Sequence, residues 1–281
     1  MIDVHCHLQF HSFNNDSDEV AKQTFKAGVT RIINVGTKLD SSQKAIEFAE
    51  KYPEMYAIVG VHPHHADKIE TLHVELGTSK SNKKQGNWID ELEQMARHQK
   101  VVGIGEIGLD YFRYKSNGIV EPAIQKEIFE KQIELSHKVK LPLQIHNRQA
   151  GEDVLEILKH HKNILNDVPG MFHCIAGSIE IVRSALDLGF YIGFDGNVTY
   201  NGIASGETTD LKDLARYVPL DRMVVETDSP FLTPIPYRGK RNTPANVTIT
   251  GKFLAELKSI PYSVLVDQTT DNVYNIFGKL R

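Results

Sequence analysis

Short apolar, often β-branched runs recur along this 281-residue chain, and between them lie longer stretches in which apolar residues return at roughly helical spacing. A parallel strand buried on both faces reads as a short continuous apolar run, whereas an amphipathic helix repeats near 3.6 residues. Eight runs predict strands: Ile2 to His5, Arg31 to Val35, Tyr56 to Val61, Val101 to Glu106, Leu141 to His146, Gly170 to Cys174, Phe190 to Phe194, and Arg222 to Thr227. Glu121 to Lys138 typifies the connections, with Ile124, Ile128, Ile133 and Leu135 at helical spacing. Strand and helix in this alternation are the signature of βα units, and eight of them in a chain of this length predict an α/β fold, a (β/α)8 TIM barrel forming one domain over residues 1–281. A doubly wound open sheet is the alternative. The third connection, His62 to Lys100, is the longest, and Gly77 to Asn87 within it reads as a solvated surface insertion carrying Lys80, Lys83 and Lys84. Val247 to Lys258 and Tyr262 to Phe277 predict two closing helices with a structural role.

Composition narrows the class of partner. At 41% hydrophobic and 24% charged the chain is an ordinary globular protein, and a net charge of −4 excludes a generally basic nucleic-acid surface while leaving room for a local basic patch in a cleft. No positive segment followed by an apolar stretch opens the sequence and no run of eighteen apolar residues occurs, so neither signal peptide nor membrane span is expected. The two cysteines, Cys6 and Cys174, form no Cys-x-x-Cys pair; that fits a reducing, cytoplasmic setting, with both thiols packed away from any site.

The chemistry begins at Asp3-Val4-His5-Cys6-His7-Leu8. On a strand Asp3, His5 and His7 share one face and Val4, Cys6 and Leu8 the other, so two imidazoles can meet one metal ion with Asp3 as an orienting partner. Taken alone, the pair also reads as two surface histidines. Four more residues change that reading: Glu106, His146, His173 and Asp228 each fall at or just beyond the carboxyl end of a predicted strand, where a barrel gathers its strand ends around one mouth. Singly, His146 or His173 fits a hydrogen-bonded core histidine and Glu106 a salt-bridge partner; together the six read as a metal site.

The strings that carry these residues resemble the TatD family of metal-dependent deoxyribonucleases, within the amidohydrolase-type barrels. They are Asp3 to Leu8, Gly60-Val61-His62-Pro63-His64, Gly105 to Tyr111, Gln144 to Arg148, Phe172-His173-Cys174, and Val225 to Pro230 followed by Pro236 to Asn242, in family order along nearly the whole chain. The resemblance implies two divalent metal ions, with Mg, Mn, Zn or Ni as candidates. It places His5, His7, Glu106 and Asp228 around one, and Glu106, His146 and His173 around the other, with Glu106 as the bridge. Two cations about 4 Å apart neutralise a phosphodiester and help generate the attacking hydroxide. Asp228 is then the proton acceptor, Glu106 the second catalytic carboxylate, and Glu226 a group that orients a ligand or the water. His62 and His64 are implied to meet the scissile phosphate, and Arg148 and Arg238, with Lys240 and Arg241, occupy loops where a DNA backbone can pass.

Gln9 and Asp195 depart from the family's usual residues without touching the proposed ligands. His11, His65, His73, His98, His137, His160 and His161 fall outside the strand ends and are expected to be surface or packing residues. The leading expectation is a monomeric DNA 3′-5′ exonuclease. The alternatives are an amidohydrolase-type esterase or deacylase, for instance on aminoacyl-tRNA, and a binding module that keeps metal for stability alone.

Overall fold

The computed structural model describes residues 1–69, 87–115 and 118–281. Eight parallel strands follow one another in chain order around one sheet: β1 (Ile2–Cys6), β2 (Arg31–Val35), β3 (Met55–Val59), β4 (Val101–Asp110), β5 (Leu143–Arg148), β6 (Gly170–Phe172), β7 (Tyr191–Phe194) and β8 (Met223–Val225). The ring is brought round on itself just past β8, where the Asp228 amide donates to the His5 carbonyl at 2.9 Å and the His7 amide to the Ser229 carbonyl at 2.8 Å. Sequential order rules out the doubly wound sheet, and the fold is the (β/α)8 barrel.

Helices α1 (Ser17–Lys26), α2 (Leu39–Glu50), α3 (Trp88–Ala96), α4 (Pro122–Val139), α5 (Gly151–His160), α6 (Ile179–Asp187) and α7 (Leu211–Tyr217) lie between strands, and α8 (Val247–Leu257) and α9 (Tyr262–Ile276) close the chain as expected. His73 and the predicted insertion up to Gly86, with Lys80, Lys83 and Lys84, lie outside the described residues. Among the described residues no helix is long and apolar enough to cross a membrane.

Two apolar layers follow from strand alternation. Ile33, Val35, Ile58, Val102, Met171 and Val224 fill the barrel interior together with Ile276 and Phe277 at the end of α9. Ile32, Ala57, Val59, Ile145, Phe172 and Val225 pack outward against the helices. With the lower interior filled, the metal-binding side chains converge in the upper part, at the carboxyl ends of the strands.

Two strands depart from the sequence reading. In β1 the register against β2 shifts between Asp3 and Cys6, so Val4 joins Ile2 in the interior layer while Cys6 and Leu8 stay in the outer one. Strict alternation across Asp3 to Leu8 therefore fails. In β4 the strand runs on to Asp110, four residues past its expected end, which puts Glu106 within the strand rather than at its tip. The strands are close around it: a Cβ on Gly105 would lie 2.7 Å from Cβ of Gln144.

The buried face of α4 carries two glutamines seven residues apart, hence on one side of the helix. Gln132 accepts from the Val61 amide at 2.7 Å and donates to its carbonyl at 3.0 Å, and Gln125 does the same for Asp110 at 2.8 and 2.9 Å. A polar helix face thus holds the ends of β3 and β4, from which His62 and Asp110 project.

Candidate active site

His5 and His7 leave β1 with their outer ring nitrogens already engaged. His5 Nδ1 lies 2.8 Å from Gln144 Oε1, whose amide nitrogen is committed to the Val4 carbonyl, and His7 Nδ1 lies 2.7 Å from the Val35 carbonyl. Both acceptors require a proton on Nδ1, so both Nε2 atoms present lone pairs inward, and they stand 3.0 Å apart. Two lone pairs facing at that distance repel unless a cation lies between them. Burial, helped by His173 and His7, holds the His5 pKa well below the ordinary value and keeps the ring neutral, as a ligand must be.

The other donors surround the same point. Asp228 Oδ1 is 3.3 Å from His7 Nε2 and 3.7 Å from His5 Nε2; Glu106 Oε2 is 3.9 and 3.7 Å from the same atoms. Metal–donor bonds of about 2.0–2.2 Å put neighbouring donors on one ion roughly 3–4 Å apart, so these residues fit a divalent cation. The other oxygen of Glu106 faces a second group: Oε1 is 2.8 Å from His146 Nδ1, 3.5 Å from His62 Nε2 and 3.8 Å from His173 Nε2. One carboxylate thus turns an oxygen to each of two donor clusters. Burial would raise its pKa, but His62, His146 and His5 outweigh that and hold Glu106 ionised, well below the usual carboxylate range.

Two of the histidines on the Oε1 side, His173 and His146, are each oriented by a buried acid, whereas His62 Nδ1 accepts from the His64 amide at 3.1 Å. His173 Nδ1 lies 3.0 Å from Glu226 Oε2, and Glu226 Oε1 accepts the Cys174 amide at 2.6 Å. Burial disfavours the charged ring, yet Glu226, Glu106 and Asp228 push the His173 pKa up to about 10. His146 Nε2 lies 3.0 Å from Asp110 Oδ2; burial again opposes its charge, and Asp110 with Glu106 raises it to about 9. Protons on these rings occupy the place that a cation would take.

The structure thus gathers His5, His7, Glu106, His146, His173 and Asp228 into one constellation, with His62 at its edge as near to Glu106 as His173 is. His64 is turned aside: its Nε2 lies 3.0 Å from Asp110 Oδ2. Asp110, which the sequence reading passed over, therefore sits between His64 and His146 and also accepts from the Tyr114 hydroxyl at 3.0 Å. Its signal was available, since Glu106, Gly108 and Asp110 alternate on one face. Asp3 does not reach either imidazole. Because of the register shift in β1, it accepts instead from the Thr227 hydroxyl at 2.7 Å and the Thr227 amide at 3.0 Å, tying β1 to the chain after β8. The orienting partner of His5 is Gln144.

A cleft of about 890 Å³ opens over the constellation, and Arg148, Arg238 and His65 line it. Cys6 is fully buried in the outer layer, but Cys174 has φ of 43°, which breaks strand alternation and leaves it lining the cleft beside Asn197. Arg241 is withdrawn from any ligand, because its guanidinium is bonded to Asp16 and to the Ser12 carbonyl.

An eight-stranded barrel with paired carboxylate and imidazole clusters at its mouth defines the class of metal-dependent barrel hydrolases. Within that class the chain belongs to the TatD related DNase family, whose model matches residues 2–278. It is 38% identical over 277 residues to the uncharacterized metal-dependent hydrolase YabD of Bacillus subtilis, covering 99% of this chain and 98% of the relative. The uncharacterized metal-dependent hydrolase YcfH of Escherichia coli is 34% identical over 280 residues, with 99% and 95% covered. Among solved structures, the TatD homolog YJJV of Escherichia coli superposes with a TM-score of 0.84 at 26% identity, over 99% of this chain and 98% of that one.

Proposed function

We propose that this protein is a metal-dependent phosphodiesterase that acts on DNA and releases nucleotides from a 3′ end. The observation that carries the reading is the division of Glu106, with Oε2 turned to His5, His7 and Asp228 and Oε1 to His146 and His173. That geometry supports a pair of divalent ions sharing one carboxylate. Bound there, such ions neutralise a phosphodiester and lower the pKa of water toward neutrality. Mixed imidazole and carboxylate donors suit Zn, Mn or Ni, and Mg when it is abundant.

The chain's own groups do the rest. Asp228, whose side chain is 15% exposed at the cleft, takes the proton of the attacking water. Glu226 keeps His173 in the tautomer with a free Nε2. His62 donates to a non-bridging phosphoryl oxygen, with His64 behind it, and Arg148 and Arg238 hold neighbouring phosphates. Support for DNA as substrate comes from these cleft cations and from the family; support for 3′ polarity comes from the family resemblance alone.

The test uses single strands labelled at either end, incubated with the protein across a series of Mg2+, Mn2+, Zn2+ and Ni2+. Stepwise release from the 3′ end, absent with chelator and absent in His5→Ala, is expected. Intact DNA under every metal, or equal cleavage by His5→Ala, overturns the reading.

A further inference from the structure

Beside the metal-binding mouth stands a half-exposed aromatic side chain. Phe231 lies three residues after Asp228 and is 51% exposed, although it lines the cleft. Its backbone is fixed at both ends: its amide donates to the Asp228 carbonyl at 2.8 Å, and its carbonyl accepts from the Asn242 side chain at 2.7 Å. The ring meets His7 and Phe10 only edge-on, with centroids 6.5 and 6.3 Å away and planes inclined by 64° and 71°. Phe10 in turn lies flat on His7, 4.3 Å between centroids and 12° between planes, which seals that imidazole from water. A flat apolar face therefore stands at the wall of the cleft, on a backbone pinned on both sides and next to the metal-binding donors.

The charges nearby point to what covers it. Arg238, on the same loop as Phe231, has its guanidinium 3.9 Å above the Tyr200 ring, and Arg148 lies 4.3 Å above Phe112. Among the described residues neither forms an ion pair, whereas Arg241, Arg97 and Arg216 each have a carboxylate partner. Aromatic rings hold these two guanidiniums in place without neutralising them. A ligand that matches the cleft thus combines anionic groups for the two guanidiniums with a flat apolar face for Phe231. Nucleotides have that constitution.

We infer that Phe231 is the seat of a nucleobase, the one attached to the sugar beside the phosphate that Glu106 and Asp228 address, while Arg238 on the same loop takes the following phosphate. This inference rests on the nuclease reading above and adds a binding subsite to it. Base stacking on an aromatic side chain corresponds to a loss of roughly five- to 150-fold in binding when the ring is removed. It is tolerant of base identity, since every base has a π face.

The experiment crosses the protein ring with the ligand ring. Wild type and Phe231→Ala are each assayed for kcat/KM on a labelled strand and on the same strand with an abasic site, walked one position at a time through the last three nucleotides. At one position, wild type prefers the intact strand by roughly five- to 150-fold, and Phe231→Ala brings that ratio to near one; Phe231→Trp restores it. Unchanged metal content and melting temperature accompany the variant. If Phe231→Ala slows intact and abasic strands equally, or slows neither, Phe231 seats no base and the inference falls while the nuclease reading stands. If wild type cleaves no strand at all, the nuclease reading itself has failed, and this subsite with it.

Discussion

Glu226→Gln changes one atom and tests how the Oε1 cluster is held. Glu226 is fully buried; its Oε1 accepts the Cys174 amide at 2.6 Å and its Oε2 faces His173 Nδ1 at 3.0 Å. A glutamine must keep its oxygen toward the Cys174 amide, since the opposite orientation sets two donors against each other. Its NH2 group then faces His173 Nδ1, and the ring satisfies it only by accepting there and carrying its proton on Nε2. That tautomer removes the lone pair directed toward Glu106. Loss of an outer partner of a ligating histidine costs about 10- to 100-fold in metal affinity, or ~1.4–2.7 kcal/mol. The assay is calorimetric titration of the metal-free variant and wild type with Mn2+, with far-ultraviolet dichroism as a check on folding. Wild-type affinity in a folded Glu226→Gln protein refutes the tautomer argument.

Further predictions concern the metal-free protein, the helix that carries the glutamines, and the cleft arginines. His173 and His146 have pKa values raised to about 10 and about 9, so their contribution to stability is complete below the unfolded value near 6.5 and is lost as pH rises through 9 and 10. Glu106 is shifted down, so its contribution is complete above an unfolded value near 4.5 and is lost as pH falls below that. Burial shifts His5 down, so its contribution is complete above about 6.5 and is lost as pH falls below that; melting temperatures measured in chelator are therefore highest near about pH 6.5, and a melting temperature that climbs from pH 7 to 10 contradicts the charge arrangement. Gln132→Leu leaves the buried amide and carbonyl of Val61 unpaired and costs about 2–4 kcal/mol in urea unfolding; a loss under 1 kcal/mol shows that water or a shift of β3 replaces it. Arg238→Ala weakens binding to single-stranded DNA and lowers the salt slope by about 0.7, one phosphate contact, whereas Arg241→Ala, its guanidinium spent on Asp16, leaves that slope unchanged.

Much of this barrel was legible because burial on both faces forces parallel strands into short apolar runs, and all eight appear where those runs predict them. The convergence of His5, His7, Glu106, His146, His173 and Asp228 followed from one geometric fact, that a barrel collects its strand ends. What escaped was local. The shift in β1 has no marker among Asp3 to Leu8, and it decides that Asp3 serves Thr227 instead of an imidazole. An acidic residue reads as the end of β4, yet a carboxylate that faces the barrel mouth needs no strand terminus, so Glu106 sits within a strand that continues to Asp110. Gln125 and Gln132 were hidden in an amphipathic helix whose pattern counts apolar positions and ignores glutamines on the same face. The left-handed conformation of Cys174, which turns it into the cleft, has no counterpart in residue type.

In the proposed function two ions, one on either side of Glu106, act together on a DNA phosphodiester. The most direct test is the rate of cleavage of an end-labelled strand by metal-free protein reloaded with measured equivalents of Mn2+. The expected curve stays low through the first equivalent and rises with the second, with Glu106→Gln flat throughout. A rate that is complete at one equivalent, or DNA left intact at every loading, contradicts that joint action.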